Sequence, residues 1–304
     1  MHKIKNFAKL TISKLYDFNL HRQQNRWAKN ILKIIESYKG ETDPALIKAA
    51  DDYAMDVFGW KGFAPDLYLY AAMQGKFIEG WIPYNYYYRV VVPSLQGAYG
   101  RVSNLKPFSR LIFKNDLFPD MFYYVNQQWL SRDYEPITEK TIQDIVMHGS
   151  EKIVYKIDDS VQGKGVYVID KSSFDIKLIK KLGSGVMQFY IHQHPFFDEI
   201  TSHSVATLRL TTVVNSRGLT SLRAGHLKVS QNQDTHITSA NQLKIPVNVN
   251  TGELSPFGYH NWEQIAKYPA TGFSFHGKVL PEFEKCIETV LSLHSKVPFV
   301  RIIG

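Results

Sequence analysis

The chain has 304 residues, 44% hydrophobic and 21% charged, which is typical of a folded protein and excludes disorder as the default. Its single cysteine excludes an internal disulfide framework. The net charge is +8, but residues 1–50 hold ten Lys or Arg against four Asp or Glu, so we predict no nucleic-acid-binding surface over the whole protein.

The first 80 residues are predicted to be mainly helical. Ile4, Phe7, Ala8 and Leu15 share a helical face that lysines flank. A surface helix packed on the domain explains this pattern. Docking of the basic N-terminus on anionic lipid, or on a membrane-bound glycan-assembly partner, is the alternative. No apolar run has the length of a signal peptide or a spanning helix, which predicts a cytoplasmic location.

The next segments change from helix toward extended structure. The Thr-Asp-Pro sequence at 42–44 is a helix-start signal before residues 45–58, because Pro suits the first helical turn. The aromatic and β-branched segment 81–93 favours strand or loop over helix. Residues 105–148 are predicted to mix helix and loop.

A different pattern follows. Residues 152–157 and 166–169 are predicted to form two strands on either side of a polar loop at 158–165. A short helix is predicted over 172–182, and a third strand over 186–191. This segment is therefore a hairpin followed by a helix and a strand.

The last third of the chain repeats this kind of order. Residues 205–214 and 219–229 predict a long hairpin, closed by a Ser-Arg-Gly turn in which Gly supplies the left-handed conformation. Shorter strands are predicted at 244–249 and 299–303, with a helix after Pro281. The order of the elements from residue 152 onward predicts an α+β fold and not a regular βαβ alternation.

The polar loop after the first of these strands contains Gly163, Lys164 and Gly165. Its glycines leave backbone N–H groups free to converge on a phosphate, and the lysine adds charge. No Ser or Thr follows the lysine and the next element is a strand, so a Walker A motif and a dinucleotide-binding motif are both excluded. A mobile hairpin tip that closes over phosphates and a plain β-turn with a solvated lysine are the two interpretations.

Strand alternation places Lys156 on the face opposite Ile153, Tyr155 and Ile157, which are predicted to be core. Beside the glycine loop, this lysine is placed to contact a phosphate as a point charge. A solvent-facing or edge-strand lysine that opposes aggregation is an equal alternative.

Two arginines of the long hairpin form a second cluster. Thr207, Arg209 and Thr211 share one strand face, and a three-residue turn places Thr211 opposite Arg223 unless a bulge shifts the register. Like charges on one sheet face repel each other unless an anion joins them, so phosphate or carboxylate is the natural partner. Two solvated arginines on an exposed face are the alternative.

His192 and His194 would share a face if the preceding strand continued, as metal ligands often do. Because Pro195 follows and no third ligand is marked, a structural or hydrogen-bonding role is favoured. Cys286 is predicted to be a small buried hydrophobic residue and not a catalytic thiol, since no general base is marked for it.

The order of these motifs resembles the ATP-grasp superfamily. The resemblance is carried by the strand with Lys156, the loop SVQGKGV, and the segments GVMQFYIHQHP and SVATLRLTT. The segment YPATGFSFHGKVLPEF narrows it to the ATP-grasp proteins associated with sugar transfer and surface-polysaccharide gene clusters. The likeness covers residues 105–304 and implies an α+β fold in which antiparallel sheets clamp a nucleotide. It implies a helical region at 1–104, a nucleotide-binding subdomain at 105–190 and a second, C-terminally short subdomain at 191–304.

The resemblance also implies roles for individual residues. Lys156 would contact the ATP phosphates, and Lys114 would be the earlier nucleotide lysine. Arg209 and Arg223 would face the γ-phosphate or an acyl-phosphate. The lid loop would consist of Gly163, Lys164 and Gly165, and the strand whose backbone reads the adenine edge would consist of Gln188, Phe189, Tyr190 and Ile191.

The implied reaction is the ATP-dependent joining of a carboxylate to an amine or similar nucleophile in surface polysaccharide biosynthesis, with ATP and Mg²⁺ as cofactors and a small-molecule or sugar-linked substrate. A catalytically inactive nucleotide-binding or scaffold protein and a phosphotransferase on the same fold are the alternatives. Family members place acidic metal ligands and an asparagine at and beyond the segment matching VPFVRIIG, where this sequence ends. The metal ligands therefore stay unassigned, and a shortened chain, or nucleotide binding without efficient turnover, is expected.

Overall fold

The computed structural model describes residues 2–160, 163–231, 234 and 236–304, with side chains from residue 18 onward. The amphipathic face predicted for residues 4–15 therefore lies outside the described side chains. None of the described helices combines the length and the apolar character needed to cross a membrane.

The described residues group into two compact units. The first consists of residues up to 95 together with 261–263, and the second of 96–260 with 264–304. Both β-sheets belong to the second unit, apart from Glu263 at the start of the last short strand of one sheet. The three-segment division expected from the sequence stays a prediction.

The first part of the chain is helical, as predicted for the first 80 residues. Its α-helices are α1 (His2–Lys39), α2 (Pro44–Phe58), α3 (Ala64–Gln74), α4 (Tyr84–Tyr86) and α5 (Val92–Gln96). A 3₁₀ turn spans Lys61–Phe63 and a π-helical turn spans Tyr87–Val91.

The predicted start of α2 is confirmed. The Asp43 carboxylate accepts a hydrogen bond from the backbone N–H of Ala45 at 2.8 Å, and Pro44 occupies the first turn. Gly59, with φ of 72°, ends the helix in the left-handed conformation, and its N–H bonds back to α2 carbonyls.

Two small hydrophobic clusters hold the first unit together. Ile31 and Ile35 of α1 pack with Leu69 of α3, while Ala54 of α2 packs with Leu67 of α3. Small residues on α2 allow close helix packing, so most of the apolar surface of α3 is removed from water.

The prediction of strand or loop over residues 81–93 is wrong for all but the first three residues, because residues 84–93 are helical. Pro83 precedes α4, and the buried carboxylate of Asp66 accepts the backbone N–H of Asn85 at 3.1 Å. That contact with α3 caps the first turn. Tertiary packing therefore overrides the strand propensity of the aromatic and β-branched side chains.

The second unit begins with a 3₁₀ segment, Gly97–Asn104, and helix α6 (Phe108–Phe113). Its first sheet has the strand order β2-β1-β5-β3-β4, with every neighbouring pair antiparallel. The strands are β1 (Asp120–Val125), β2 (Gln128–Ser131), β3 (Lys152–Ile157), β4 (Val166–Asp170) and β5 (Gly185–Phe189).

Helices α7 (Glu139–Met147) and α8 (Ile176–Leu182) cover one face of the first sheet. Thr138 and Asp175 cap their N-termini by accepting backbone N–H groups. Ile153 and Tyr155 of β3 are fully buried in this core, as the sequence alternation predicted, so the other face of β3 is left for Lys156.

The second sheet has the strand order β10-β9-β8-β7-β6-β11. A short helix α9 (Pro195–Asp198) precedes it, and α10 (Phe283–Ser295) packs on its apolar face. The strands are β6 (Thr207–Val214), β7 (Thr220–Ser230), β8 (Gln242–Pro246), β9 (Gly258–His260), β10 (Glu263–Ile265) and β11 (Ile302–Ile303).

The predicted α+β fold, with a helical N-terminal region and antiparallel sheets, is confirmed. The strand predicted over 152–157 matches β3 at both ends, and the long hairpin matches β6 and β7 within two residues. Strands β1 and β2 fall in the segment predicted to be helix and loop, and β9 and β10 were also missed.

Candidate functional site

The open face of the first sheet carries a buried polar cluster beside Lys156. Asp120 of β1 is 1% exposed, and its carboxylate accepts hydrogen bonds from Gln188 Nε2 at 2.6 Å and Tyr123 Oη at 2.9 Å. Register places Gln188 opposite both Asp120 and Val154, on the face that Lys156 shares. Gln188 was predicted as part of the adenine-reading strand, and here its side chain is used to orient a carboxylate.

Lys156 is held in this environment at reduced exposure to solvent. Burial lowers the pKa of Lys156, the nearby Asp120 carboxylate opposes that shift, and Lys106 adds to it. A partly desolvated ammonium group gains more from an incoming anion than an exposed one does. The alternative of a fully solvated lysine therefore does not describe this side chain.

Lys106 is the second lysine at this place, and no pattern in the sequence marks it. Its Nζ donates hydrogen bonds to the backbone carbonyl of Ile157, to Ser160 O at 3.1 Å and to Ser160 Oγ at 3.0 Å. Its backbone N–H bonds to Asp158 at 2.9 Å. These contacts fix Lys106 at the end of β3, where the glycine loop begins.

Burial also lowers the pKa of Lys106, and Asp158 and Asp159 oppose that shift. The same burial raises the pKa of the Asp158 carboxyl, while the Lys106 contacts lower it. The two lysines therefore share one partly buried site with three carboxylates nearby, among them Asp120.

The glycine loop joins β3 to β4, and residues 161 and 162 within it lie outside the described part of the chain. Gly163 has a φ of 80°. Gly165 is buried against Ser160, and a Cβ added at Gly165 would lie 2.3 Å from the Ser160 side chain. Both positions therefore require glycine, one for its backbone conformation and one for its lack of a side chain. Lys164 between them is exposed.

The glycine loop reaches a loop of the second sheet. His236 Nε2 donates to the Gly163 carbonyl at 3.1 Å, and a Cβ on Gly163 would lie 2.5 Å from the carbonyl oxygen of Ile237. Asn241 orders this second loop, since its side chain accepts the Thr238 N–H at 2.7 Å. The tip of the predicted lid thus lies on the connection between β7 and β8.

One face of the second sheet carries four basic side chains. Arg209 of β6 lies opposite His226 of β7, and Lys228 of β7 lies opposite Lys244 of β8. Among the described residues, no carboxylate forms an ion pair with Arg209, Lys228 or Lys244. We name Arg209, His226, Lys228 and Lys244 the cationic face.

The cationic face is electrostatically unfavourable without an anion. Burial, together with the charges of Lys228, Lys244 and Arg209, lowers the pKa of His226 to about 4. Burial and Arg209 likewise lower the pKa of Lys228 and of Lys244. Phosphate or carboxylate oxygens would relieve this repulsion.

The predicted pairing of Thr211 with Arg223 is wrong. Thr211 pairs with Ala224 and Thr212 pairs with Leu222, so Arg223 is the extra residue of a β-bulge. Its side chain is exposed, and its role near the γ-phosphate stays a prediction. The glycine of β7, Gly225, lies two residues beyond this bulge.

The remaining predicted nucleotide residues lie at the end of α6 and at the end of the central strand β5. Lys114 is exposed at the end of α6, with φ of 44°. Phe189 ends β5 and donates its N–H to the Pro119 carbonyl at 2.9 Å, while Tyr190 and Ile191 follow outside the strand. The assigned roles of these residues stay predictions.

The predicted strand placement of His192 and His194 is wrong, because β5 ends before them. His194 caps α9, since its Nδ1 accepts the Phe196 N–H at 3.1 Å, which confirms the favoured hydrogen-bonding role. Cys286 is half-buried against the core of the second sheet, and burial raises the pKa of its thiol, as expected for a small hydrophobic residue.

Comparison with known proteins supports the resemblance seen in the sequence. The family model for sugar-transfer associated ATP-grasp proteins matches residues 176–304, which include β5, the whole second sheet and the cationic face. No curated protein and no solved structure matches the chain. The predicted family is thus confirmed over this part of the chain.

Proposed function

We propose that the protein binds ATP and uses it to join a carboxylate to an amine or similar nucleophile through an acyl-phosphate, in surface polysaccharide biosynthesis. The family match over residues 176–304 supports nucleotide binding on an ATP-grasp fold. The substrates and the reaction type are the proposed part.

The observation that carries the proposal is the convergence of two partly buried lysines at the base of the glycine loop. Lys156 projects from β3, and Lys106 bonds to the backbone at the start of the loop. Gly163 and Gly165 hold the loop in a conformation that side chains would obstruct. Cations below a glycine-containing hairpin form the arrangement that phosphate groups require.

The residues present fit the triphosphate of ATP. Lys156 would hold phosphate oxygens, and Lys164 would approach from the loop. Lys106, whose three N–H donors already bond to Ile157 and Ser160, would add positive charge and hold the start of the loop in place. ATP would supply the transferable γ-phosphoryl group. The fit for Mg²⁺ differs, because no group of three His, Cys, Asp or Glu side chains among the described residues is arranged to hold a metal ion.

The protein's contribution to phosphoryl transfer would be orientation and charge stabilisation. A carboxylate oxygen of the substrate attacks the γ-phosphorus, and the bond to the departing ADP breaks. The amine then attacks the acyl carbon, phosphate leaves, and the nitrogen loses a proton. Arg209 would face the phosphoryl group during both steps. His226 is neutral at pH 7 by its low pKa, and it would offer a hydrogen bond without adding charge.

Calorimetric titration with ATP and Mg²⁺ tests the nucleotide site. Lys156→Met is expected to weaken ATP binding by at least about tenfold, because a hydrogen bond to a charged group is lost. Lys106→Met is expected to weaken it several-fold, because a nearby positive charge and the bonds that hold the start of the glycine loop are lost. Lys177→Met removes one exposed lysine from α8 and serves as the matched control. Equal ATP affinities in all four proteins would exclude the assigned roles.

Product analysis separates the reaction types. Incubation with candidate acids and amines, followed by mass spectrometry, should give ADP together with an amide. A stable phosphorylated product would instead indicate a phosphotransferase. ATP binding without any product from the tested acids and amines would favour the inactive nucleotide-binding alternative.

A further inference from the structure

A groove on the first unit lies outside everything assigned above. It has a volume of about 460 Å³ and runs along the middle of α1, with Trp60, near the start of the α2–α3 connection, as its opposite wall. Its lining includes Phe18, Arg22, Asn25, Arg26, Lys29 and Trp60.

Three cations line this groove on one helical strip. Arg22, Arg26 and Lys29 follow at spacings of four and three residues, so they face the same side of α1. All three are exposed, and none forms an ion pair with a carboxylate in the described part of the protein. The groove therefore presents a concentrated positive charge that an anion would neutralise.

The same groove presents aromatic surface. Phe18 is 62% exposed and Trp60 is 43% exposed. The Trp60 ring is held edge-on between His21 and Phe63, with centroid distances of 4.6 and 5.2 Å, and it lies directly over Gly62. Its position is therefore fixed by packing, although much of the ring faces water. A tryptophan ring that is exposed to solvent beside charged side chains is typical of residues at a membrane–water interface.

We propose that this groove docks the protein on an anionic phospholipid surface, with Arg22, Arg26 and Lys29 contacting lipid phosphates and Phe18 and Trp60 entering the acyl boundary. A free phosphate would satisfy the cations and leave the aromatic rings in water. A lipid satisfies both, because it joins a phosphate to an apolar chain. The positive excess of the first 50 residues continues this charge along the same part of the chain.

Sedimentation with phosphatidylcholine vesicles, with and without phosphatidylglycerol, tests the proposal on the full chain. The native protein should sediment only with the anionic vesicles. The triple variant R22Q/R26Q/K29Q should lose roughly a hundredfold in partitioning, since each basic residue near an anionic surface contributes about a factor of five. K140Q/K177Q/K181Q removes the same charge from exposed positions of the second unit and should bind as the native chain does.

Phe18→Ser separates lipid insertion from simple charge attraction. It leaves the charge unchanged and should still weaken vesicle binding by several-fold, because less apolar surface enters the lipid. Glycerol phosphate in solution should not compete, and a single-stranded oligonucleotide should bind all variants equally weakly.

Four results would overturn the proposal: no binding of the native chain to anionic vesicles, an equal loss in the two charge variants, an unaffected Phe18→Ser variant, or tight oligonucleotide binding that R22Q/R26Q/K29Q abolishes. ATP titration of the same variants should give native affinity. Failure of this proposal is then distinguishable from failure of the nucleotide site.

Discussion

His226 shows how strongly single residues on the second sheet are shaped by their neighbours. Burial and, to a smaller extent, the cations Lys228, Lys244 and Arg209 lower its pKa from 6.5 to about 4. Between these two pH values the unfolded chain binds a proton that the folded chain does not. The free energy of unfolding is therefore unaffected by this histidine's protonation above about pH 6.5, and it decreases as the pH falls from 6.5 toward 4.

We expect the free energy of unfolding to decrease as the pH is lowered from 6.5 to 4, and to decrease less in His226→Gln, which has no titrating group. Urea unfolding followed by circular dichroism at several pH values measures this. Above pH 7 the difference in unfolding free energy between the two proteins should be constant, because neither side chain titrates there. Parallel profiles for the native protein and His226→Gln between pH 4 and 6.5 would contradict the burial of His226 among cations.

Lys106 shows where residue-level prediction from sequence fails. The pattern of β3 places Lys156 on the open face, and the structure agrees. Lys106 lies in an irregular segment before α6, with no periodicity to mark it. Its contacts join residues more than 50 positions apart along the chain, so they follow from tertiary structure alone.

At the scale of elements, the glycine loop is defined by its backbone. Gly163→Ala should cost about 1 kcal/mol for the left-handed conformation and should also push the loop away from Ile237. We expect ATP affinity to fall several-fold. Gly218→Ala, at φ of 77° with no atom within 4 Å of the added Cβ, is the matched control.

Gly218→Ala should cost a similar amount of stability and leave ATP binding unchanged. Calorimetric titration and urea unfolding of both variants make the comparison. Native ATP affinity in Gly163→Ala would show that the contact between this loop and the second sheet has no part in nucleotide binding.

The C-terminal elements are joined by a buried histidine on α10. His294 is 1% exposed, its Nδ1 accepts from Thr212 Oγ1 at 2.6 Å, and its Nε2 donates to the Val300 carbonyl at 2.7 Å. These two bonds tie α10 to β6 and to the segment that leads into β11. Removing the ring leaves both partners unpaired in the interior.

We therefore expect His294→Ala to lower the free energy of unfolding by about 3 kcal/mol, from the cavity and the two lost hydrogen bonds. Thr212→Val, which loses one of the two bonds and keeps the volume, should cost about 1 kcal/mol. Urea unfolding at constant pH measures both. Equal losses in the two variants would mean that the Val300 bond contributes nothing.

Elements with a clear period were predictable, and those whose form depends on distant contacts were not. Strands β3, β6 and β7 alternate between core and open positions, which the sequence displays directly. Strand β1 is buried along almost its whole length, so its residues show no alternation. The segment 81–93 has strand-like composition but follows the cap that Asp66 provides.

At the scale of the whole molecule, the two proposed sites belong to different units. The lysines, the glycine loop and the cationic face lie in the second unit, and the groove of α1 lies in the first. The family match begins at residue 176, so it covers neither the groove nor Lys106 and Lys156. Each of these therefore depends on the structure and on the direct tests above.

Hydrogen–deuterium exchange can resolve the two sites in one experiment on the full chain. With ATP added, we expect slower amide exchange in the glycine loop and in residues 226–244, because a bound ligand suppresses local opening. With anionic vesicles, we expect slower exchange in α1 around residues 18–29 and in the α2–α3 connection. The Lys156→Met variant should lose the first effect and keep the second, and R22Q/R26Q/K29Q should do the reverse. Protection of α1 by ATP alone would contradict the assignment of separate ligands to the two units.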